Sequence, residues 1–263
     1  MHPSEKLSTP PATEPLATAS GVVGAIPARY ASSRLPGKPL LESGGRPLIE
    51  HVWRRAIAAE GLDRVVVLTD DERIGRAVEA FGGDWEMTPA ACASGTDRIA
   101  TAARGWDAAA VVNIQGDEPL IDPRAIADVA RHLTAVPGDL VVTLAAVAAP
   151  TDADDPDIVK VVVDGRGYAL YFSRAPIPFP RAPEGAAPRR HLGIYGYRLE
   201  ALLRLAGLPP SPLEVRESLE QLRALENGIP IRVLPAAGAS VGVDTMADLE
   251  RVEAMMRAEA PRR

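Results

Sequence analysis

A group of basic and hydroxyl side chains follows the first apolar run of the chain. Arg29, Arg34 and Lys38 are separated by only a few residues, and Ser32 and Ser33 lie between the first two of them. Guanidinium, ammonium and hydroxyl groups donate hydrogen bonds to phosphate oxygens, and the glycine before the lysine allows a close backbone approach. This segment predicts a loop that binds a polyphosphate. A solvated basic loop of the same composition is the alternative.

Two familiar phosphate-binding motifs are absent from the sequence. The chain reads GVVGAIPAR around its first strand, which is not the G-x-G-x-x-G of dinucleotide-binding proteins, and G-x-x-x-x-G-K-[ST] does not occur. A triphosphate site without either motif suggests nucleotidyl transfer, in which positive charge stabilises the departing pyrophosphate.

Two aspartates are candidate ligands of a divalent cation. Asp117 lies just after the predicted strand 110–115, in the segment QGDEP, where a turn carboxylate is the alternative interpretation. Asp244 precedes the last predicted helix, but Thr245 and Asp248 already form a capping box there, so Asp244 is not needed as the cap. Mg²⁺ is usually held by one or two carboxylates together with phosphate oxygens. The two aspartates therefore predict one shared metal site.

Further polar side chains are candidates for contacts with a second substrate. His191 precedes an alternating strand and could hydrogen-bond a sugar hydroxyl. Arg174 follows another strand and could pair with a carboxylate of the acceptor, with an exposed edge arginine as the alternative. Glu220 and Gln221 lie on the predicted helix 212–226, where an amphipathic surface pair is the alternative.

These candidates require a scaffold, and the first half of the chain predicts one. Short apolar strands alternate with helices, which is typical of a doubly wound, mostly parallel α/β sheet with ligands beyond the carboxyl ends of its strands. The predicted strands are 22–26, which Pro27 ends, 64–69, 110–115 and 140–147. The predicted helices are 47–60, 71–81, one that begins at 94–97, and 123–133.

Residues of about 151–212 follow a different pattern. They contain three predicted strands with little helix between them, which indicates a smaller antiparallel or mixed excursion. These strands are 158–163, 168–173 and 191–197, and the helices 199–205, 212–226 and 246–256 and a strand at 231–234 complete the prediction. We interpret residues 21–258 as a single domain, between a disordered tail at 1–20 and a short tail at 259–263.

Composition and charge exclude several functional classes. The chain has 263 residues with 46% hydrophobic content, enough for one large α/β domain. A net charge of −6 and a pI near 5.4 argue against a nucleic-acid partner and favour a small-molecule partner.

The single cysteine, Cys92, excludes an internal disulfide. The sequence has no G-x-S-x-G motif, so nucleophilic catalysis by the protein has little support. With no membrane-length apolar run and no secretory signal, we expect a cytoplasmic protein without a membrane partner.

A set of longer motifs points to one family. They are AIPARYASSRLPGKPL at 25–40, SGTDR at 94–98, NIQGDEPLI at 113–121, VKVVVDGRGYALYFSRAPIP at 159–178, HLGIYGY at 191–197, SPLE with LEQLRAL at 211–225, and GVDT at 242–245. Together they resemble the 3-deoxy-manno-octulosonate cytidylyltransferases, also called CMP-Kdo synthetases, over about residues 22–256. PAR and QGD are shared with other sugar nucleotidyltransferases, whereas HLGIYGY with YFSRAPIP is far more specific.

The resemblance implies a reaction and a role for each matching residue. The reaction is CTP + Kdo → CMP-Kdo + pyrophosphate with Mg²⁺, in the cytoplasmic supply of activated Kdo for lipopolysaccharide, carried out by a homodimer built partly through the excursion. In the implied CTP site, Arg29, Ser32 and Lys38 hold the triphosphate, and the backbone near Ala28 with the segment from Thr96 to Arg98 reads cytosine. Asp117 and Asp244 are the implied metal ligands, and the implied Kdo site consists of Gln115, Arg174, His191, Tyr195, Glu220 and Gln221.

The sequence departs from this family in two places and leaves other functions open. Cys92 stands where the family often has a histidine, which puts any contact of that histidine in doubt, and Asp97 replaces a commoner glutamate. The alternatives are a cytidylyltransferase for another acidic sugar, such as 8-amino-Kdo or a nonulosonic acid, a glycosyltransferase that consumes a nucleotide sugar, and a non-catalytic nucleotide-binding protein of the same fold.

Overall fold

The predicted sheet forms in the structure, a computed structural model that describes residues 21–31, 35–181, 187–238 and 241–259. Ser32, Ser33 and Arg34 of the predicted phosphate loop lie outside these ranges, as do the predicted tail 1–20 and residues 260–263. Every helix among the described residues is too short or too polar to span a bilayer.

The described residues form eleven strands and eight α-helices. The strands are β1 (Val22–Ala28), β2 (Glu42–Ser43), β3 (Arg46–Pro47), β4 (Arg64–Thr69), β5 (Asp84–Met87), β6 (Ala110–Asn113), β7 (Val141–Val147), β8 (Lys160–Val163), β9 (Ala169–Ser173), β10 (Arg189–Arg198) and β11 (Ile231–Pro235). The helices are α1 (Leu48–Ile57), α2 (Glu72–Ala80), α3 (Gly95–Ala103), α4 (Pro123–Ala135), α5 (Leu199–Ala206), α6 (Pro212–Glu217), α7 (Gln221–Glu226) and α8 (Met246–Glu259). Single 3₁₀ turns occur at Lys38–Leu40 and Pro150–Asp152.

The main sheet has the order β11-β7-β10-β6-β1-β4-β5. β1 is parallel to β4 and β6, β4 is parallel to β5, and β11 is parallel to β7. β10 lies between β6 and β7 and is antiparallel to both. The predicted doubly wound, mostly parallel fold is therefore confirmed. Because β1, β4 and β6 run in the same direction, the loops that follow them leave the sheet at one edge.

β10 connects the main sheet to the excursion. Its last residues pair with β6, where Tyr195 lies opposite Asn113, and its first residues pair with β8, where Arg189 lies opposite Val161. β8 in turn pairs with β9 in an antiparallel hairpin. The sequence pattern groups this strand with the excursion, but half of it is a central strand of the main sheet.

Apolar side chains pack in one layer on each face of the sheet. One layer joins α3, α5 and α7 to the sheet through residues such as Ile99, Leu202 and Leu222. The other layer joins α1, α2 and α4 through residues such as Ile49 and Ile126. Each fully buried aliphatic side chain contributes about 1.5–3 kcal/mol of burial free energy, so both faces hold the sheet and its carboxyl edge in place.

Two of the differences between the predicted and the observed elements affect the position of candidate site residues. β1 does not end before Pro27 but continues to Ala28, with Pro27 opposite Leu68 of β4. The pairing of β1 with β6 stops at Ala25, so on that side the missing N–H of Pro27 interrupts no strand ladder.

The predicted helix 212–226 is two helices, because Ser218 adopts a left-handed conformation with φ 53° and ψ 47°. In a continuous helix Glu217 and Glu220 would lie on the same face. The break lets Glu217 contact the end of β9 while Glu220 contacts the start of α3.

Candidate active site

The segment that follows β6 meets the segment that precedes α8 at the carboxyl edge of the sheet. The backbone N–H of Val243 donates to the carbonyl of Asp117 at 2.9 Å, which joins the two segments directly. Val243 is fully buried in a small cluster with Leu48 and Val252, so the packing of α8 fixes the position of the neighbouring Asp244. The two aspartates that the sequence proposes as a metal pair are thereby brought together.

The ammonium group of Lys38 lies between these two aspartates. Its Nζ donates to Oδ2 of Asp117 at 2.8 Å, to Oδ1 of Asp244 at 3.1 Å and to the carbonyl of Val243 at 2.8 Å. The Lys38 side chain is only 14% exposed, whereas the carboxylates are 33% and 45% exposed. Lys38, predicted to bind the triphosphate, is thus ion-paired with both predicted metal ligands.

A cavity of about 370 Å³ opens beside this group. Its lining includes seven of the predicted site residues, namely Ala28, Arg29, Lys38, Arg98, Gln115, Asp117 and Asp244. The rest of the lining consists of Pro27, Pro39, Gly116 and residues 92–95. Cations and carboxylates from distant parts of the sequence therefore surround one space.

Gly116 allows the loop after β6 to pack against the end of β1. A Cβ atom at this position would lie 2.6 Å from the carbonyl oxygen of Pro27, closer than real Cβ atoms approach backbone. A side chain at residue 116 would push this loop away from β1. The glycine therefore sets the position of Asp117 relative to Arg29.

Arg98 is a buried cation in the wall of the cavity. It is 3% exposed, its Nη2 donates to Oδ2 of Asp70 at 3.0 Å, and its Nη1 donates to the hydroxyl of Thr88. The other Asp70 oxygen accepts the backbone N–H of Tyr30 at 3.4 Å. Asp70 thus ties the loop after β1 to α3. Sequence reasoning missed Asp70, although its position directly after the strand 64–69 was an available signal.

His191 and Tyr195 lie together beside Gln115. The Gln115 side-chain amide donates to the carbonyl of Gly193, midway between them, at 2.9 Å. Nε2 of His191 is 3.0 Å from the hydroxyl of Thr143, and the His191 and Tyr195 rings are 5.3 Å apart. The buried Tyr195 hydroxyl has no hydrogen-bond partner among the described residues, and burial raises its pKa well above the ordinary value.

Burial lowers the pKa of His191 to about 3, from an ordinary value of 6.5. The unfolded chain therefore binds one more proton than the folded protein between these two pH values, so this histidine makes folding weaker as the pH falls. We expect His191 to contribute a slope of about 1.4 kcal/mol per pH unit in that interval. Urea unfolding of the wild type and His191→Asn from pH 4 to 7 measures the slope. A slope unchanged in His191→Asn, or lost equally in the control His51→Asn, would contradict this prediction.

Glu220 lies against the N-terminus of α3. Its two carboxylate oxygens accept hydrogen bonds from the Ser94 hydroxyl at 3.0 Å and the Thr96 hydroxyl at 2.8 Å. Burial raises the pKa of Glu220. The structure thus joins a residue of the predicted Kdo site to Thr96 of the predicted cytosine site. Thr96 does not belong to the cavity lining found among the described residues.

Arg174 is not part of the cavity lining found among the described residues, and it contacts the end of α6. Its Nε donates to the carbonyl of Glu217 at 2.9 Å, and its Nη1 donates to the carbonyl of Pro156 at 2.9 Å. The Glu217 carboxylate accepts the Arg174 backbone N–H at 3.0 Å and the Ser173 hydroxyl at 2.7 Å. Sequence reasoning did not identify Glu217.

Lys160 is the second residue near Arg174 that sequence reasoning missed. Its side chain is fully buried, and Nζ donates to the carbonyls of Asp155 and Ile158 at 2.7 Å and of Arg174 at 2.6 Å. Burial lowers the pKa of Lys160. A lone lysine inside the apolar run 158–163 was the available signal. Gln221 begins α7 next to Glu220, and its predicted contact with Kdo stays a prediction.

The sequence and the fold of this chain are similar to those of known proteins. A family model described as cytidylyltransferase matches residues 23–232. A 3-deoxy-manno-octulosonate cytidylyltransferase of Myxococcus xanthus is 51% identical over 241 residues, which cover 90% of this chain and 96% of that protein. The protein of the same name from Escherichia coli is 47% identical over 240 residues, which cover 91% of this chain and 98% of that protein.

Solved structures share the fold. A structure of CMP:2-keto-3-deoxy-manno-octonic acid synthetase complexed with CTP has a TM-score of 0.88 and 47% identity, and the match covers 91% of this chain and 100% of that chain. A cytidylyltransferase from Leptospira borgpetersenii has a TM-score of 0.64 at 18% identity, covering 91% of this chain and 87% of that chain, a likeness of fold alone.

Proposed function

The chain belongs to the 3-deoxy-manno-octulosonate cytidylyltransferases, within the cytidylyltransferase family, and on this premise we propose that it transfers CMP from CTP to Kdo and releases pyrophosphate. One observation carries the proposal: Lys38, Asp117 and Asp244 meet at a cavity that Arg29 and Arg98 also line. Nucleotidyl transfer requires such a combination of cations for the phosphates and carboxylates for a divalent ion.

In the proposed reaction, the anomeric hydroxyl of Kdo attacks the α-phosphorus of CTP. A new P–O bond forms while the bond to the β-phosphate oxygen breaks, the attacking hydroxyl releases its proton to solvent, and pyrophosphate leaves with the electron pair of the broken bond. Such transfer depends on positioning and charge neutralisation more than on covalent help from the protein. Arg29 and Lys38 donate hydrogen bonds to the pyrophosphate as negative charge develops on it.

We propose that the base of CTP is read near the start of α3. The backbone at Ala28 and the Arg98 guanidinium line the cavity, and Asp70 holds that guanidinium in place. Thr96 acts through its hydrogen bond to Glu220, which keeps the N-terminus of α3 in position.

We propose Mg²⁺ as the cofactor, with Asp117 and Asp244 as its protein ligands. Two carboxylates are the hard oxygen donors that Mg²⁺ prefers, and this ion usually completes its coordination with water and substrate phosphates rather than an all-protein cage. Within the part of the chain that the structure describes, no cluster of three or more His, Cys, Asp and Glu side chains is arranged to hold a metal. When bound, Mg²⁺ polarises the α-phosphate.

We propose that Kdo binds next to the phosphates, along β10. Gln115 lines the cavity and contacts Gly193 of β10, beside His191 and Tyr195. The unpartnered Tyr195 hydroxyl suits a sugar hydroxyl, because a buried polar group without a partner costs free energy. Arg174, Glu220 and Gln221 belong to the same predicted site.

We further propose that the protein works in the cytoplasm as a homodimer and supplies activated Kdo for lipopolysaccharide. Exposed apolar side chains on the excursion and near it support a subunit interface. Val147 at the end of β7 is 76% exposed, Leu170 of β9 is 63% exposed, and Phe179 is 80% exposed. Exposed apolar side chains that form a patch often mark a site of contact with another protein.

Pyrophosphate release tests the function directly. We expect the full chain with CTP and Mg²⁺ to release pyrophosphate when Kdo is added, and to do so faster with Kdo than with other 2-keto sugar acids. A preference for 8-amino-Kdo or a nonulosonic acid would assign the protein to a different acidic sugar. CTP binding in calorimetry with no turnover of any sugar acid would identify a non-catalytic nucleotide-binding protein.

A further inference from the structure

Lys38 uses the oxygen atoms that the proposed metal requires. Its ammonium group has three acceptors, namely Oδ2 of Asp117 at 2.8 Å, Oδ1 of Asp244 at 3.1 Å and the carbonyl of Val243 at 2.8 Å. An ammonium group carries three N–H donors, so these contacts satisfy all of them. The pocket around Lys38 is therefore a complete cation site that the protein fills with its own side chain.

We propose that Lys38 is an internal competitor of the divalent cation, and that the nucleotide displaces it. This inference rests on the proposed function, because it takes Asp117 and Asp244 as the metal ligands and the triphosphate as the later partner of Lys38. An ammonium group and a divalent cation on the same carboxylates repel each other, and partial burial of Lys38, which is 14% exposed, limits screening by water. The cation binds these carboxylates well only after Lys38 leaves.

The triphosphate offers Lys38 another partner. Phosphate oxygens accept the same charge-assisted hydrogen bonds that the carboxylates accept, and the cavity beside Lys38 is lined by Arg29, a second phosphate-binding candidate. When Lys38 turns to the phosphates, its charge leaves Oδ2 of Asp117 and Oδ1 of Asp244, and the phosphates add further oxygen ligands for the metal. Metal and nucleotide therefore increase each other's affinity, as linkage requires.

The local structure allows Lys38 to change partners without a backbone movement. Its backbone is fixed in a 3₁₀ turn, where the N–H of Leu41 donates to the Lys38 carbonyl at 3.1 Å and Pro39 is buried. The side chain is a flexible four-carbon stem with a rotatable ammonium group. Rotation about the bonds of this stem moves the charge, while the turn keeps its base in place.

The test is a titration of the nucleotide-free full chain with Mn²⁺, in which electron paramagnetic resonance measures the unbound ion. Lys38→Met keeps most of the stem and removes the competing charge, so we expect it to bind Mn²⁺ at least about tenfold more tightly than the wild type, which corresponds to about 1.4 kcal/mol. The matched control is Arg131→Met, which removes one positive charge from an exposed ion pair on α4. We expect this control to bind Mn²⁺ like the wild type.

Two further variants locate the effect. Lys38→Gln replaces Lys38→Met if the latter does not fold, and it is expected to increase Mn²⁺ affinity similarly. The double variant Lys38→Met with Asp117→Asn is expected to lose the gain, because one of the two carboxylates is gone. Equal Mn²⁺ affinity in the wild type and Lys38→Met would overturn the proposal, and so would an equal gain in Arg131→Met.

The outcome is separable from that of the proposed function. Pyrophosphate release by the wild type tests the function and does not depend on whether Lys38 competes with metal. Tighter Mn²⁺ binding by Lys38→Met supports the competition even if the wild type releases no pyrophosphate. Unchanged Mn²⁺ binding overturns the competition even if the wild type is an active cytidylyltransferase.

Discussion

Replacement of Asp117 or Asp244 by asparagine is expected to lower kcat for pyrophosphate release by at least about 100-fold, the effect of losing one charge-stabilising element of an active site. Asparagine keeps the shape of the side chain but removes the negative charge, so the proposed Mg²⁺ loses one of its two carboxylate ligands. Lys38 would still have two of its three acceptors in either variant, so the local structure is expected to persist.

The measurement is steady-state kinetics with CTP, Kdo and Mg²⁺, together with circular dichroism to check folding. Asp128→Asn is a matched control, because it removes the same charge from a carboxylate paired with Arg131 on the surface of α4. We expect the control to retain kcat within about twofold. A kcat near that of the wild type in Asp117→Asn or Asp244→Asn would remove that aspartate from the proposed metal site.

The replacement Lys160→Met is expected to lower the free energy of unfolding by about 3 kcal/mol, because it removes a fully buried ammonium group from which three backbone carbonyls accept hydrogen bonds. The ammonium group of Lys160 is the donor to three backbone carbonyls, those of Asp155, Ile158 and Arg174, and its side chain is fully buried. Methionine fits the space left by the stem but donates no hydrogen bond. The expected loss of stability is smaller than the sum for three hydrogen bonds, because the replacement also removes the free-energy cost of burying the charged ammonium group.

Urea unfolding measures this change, and Arg166→Met in the turn between β8 and β9 is the control. Arg166 is a basic residue whose side chain is 81% exposed and paired with Asp164, so its replacement is expected to change stability by less than about 0.5 kcal/mol. If Arg174 contacts Kdo as proposed, Lys160→Met also raises KM for Kdo more than KM for CTP. An unfolding free energy equal to that of the wild type would show that the three carbonyls do not depend on Lys160.

Much of the local structure could be predicted because its causes lie within a few residues. The apolar run 64–69 is β4 with the predicted ends, and α2 begins one residue after Asp71, whose side chain accepts the N–H of Arg73. The capping box of Thr245 and Asp248 is also present, with the Asp248 N–H donating to the Thr245 hydroxyl at 3.2 Å. Hydrophobic periodicity and helix caps act locally, so a single sequence reveals them.

The candidate site could be predicted only in part. The expectation that Asp117 and Asp244 lie close together is met, because each aspartate stands at the end of an element near the same edge of the sheet. The contacts of two carboxylates could not be predicted from local sequence. Glu220 accepts hydrogen bonds from Ser94 and Thr96, and Glu217 accepts from Ser173 and the backbone of Arg174. These contacts exist because the predicted helix 212–226 is broken at one residue in the folded protein.

The sequence by itself determined which residue types stand at the ends of strands and helices, and with them the fold class, the family resemblance and the candidate site residues. Only the tertiary structure decided that β10 lies between β6 and β7, that Lys38 forms ion pairs with Asp117 and Asp244, and that Lys160 is a buried donor to carbonyls. The physical reason is the separation along the sequence over which each kind of interaction acts. Periodicity and capping act between near neighbours, whereas burial and ion pairing join residues as far apart as Lys38 and Asp244, whose partners are chosen only when the chain folds.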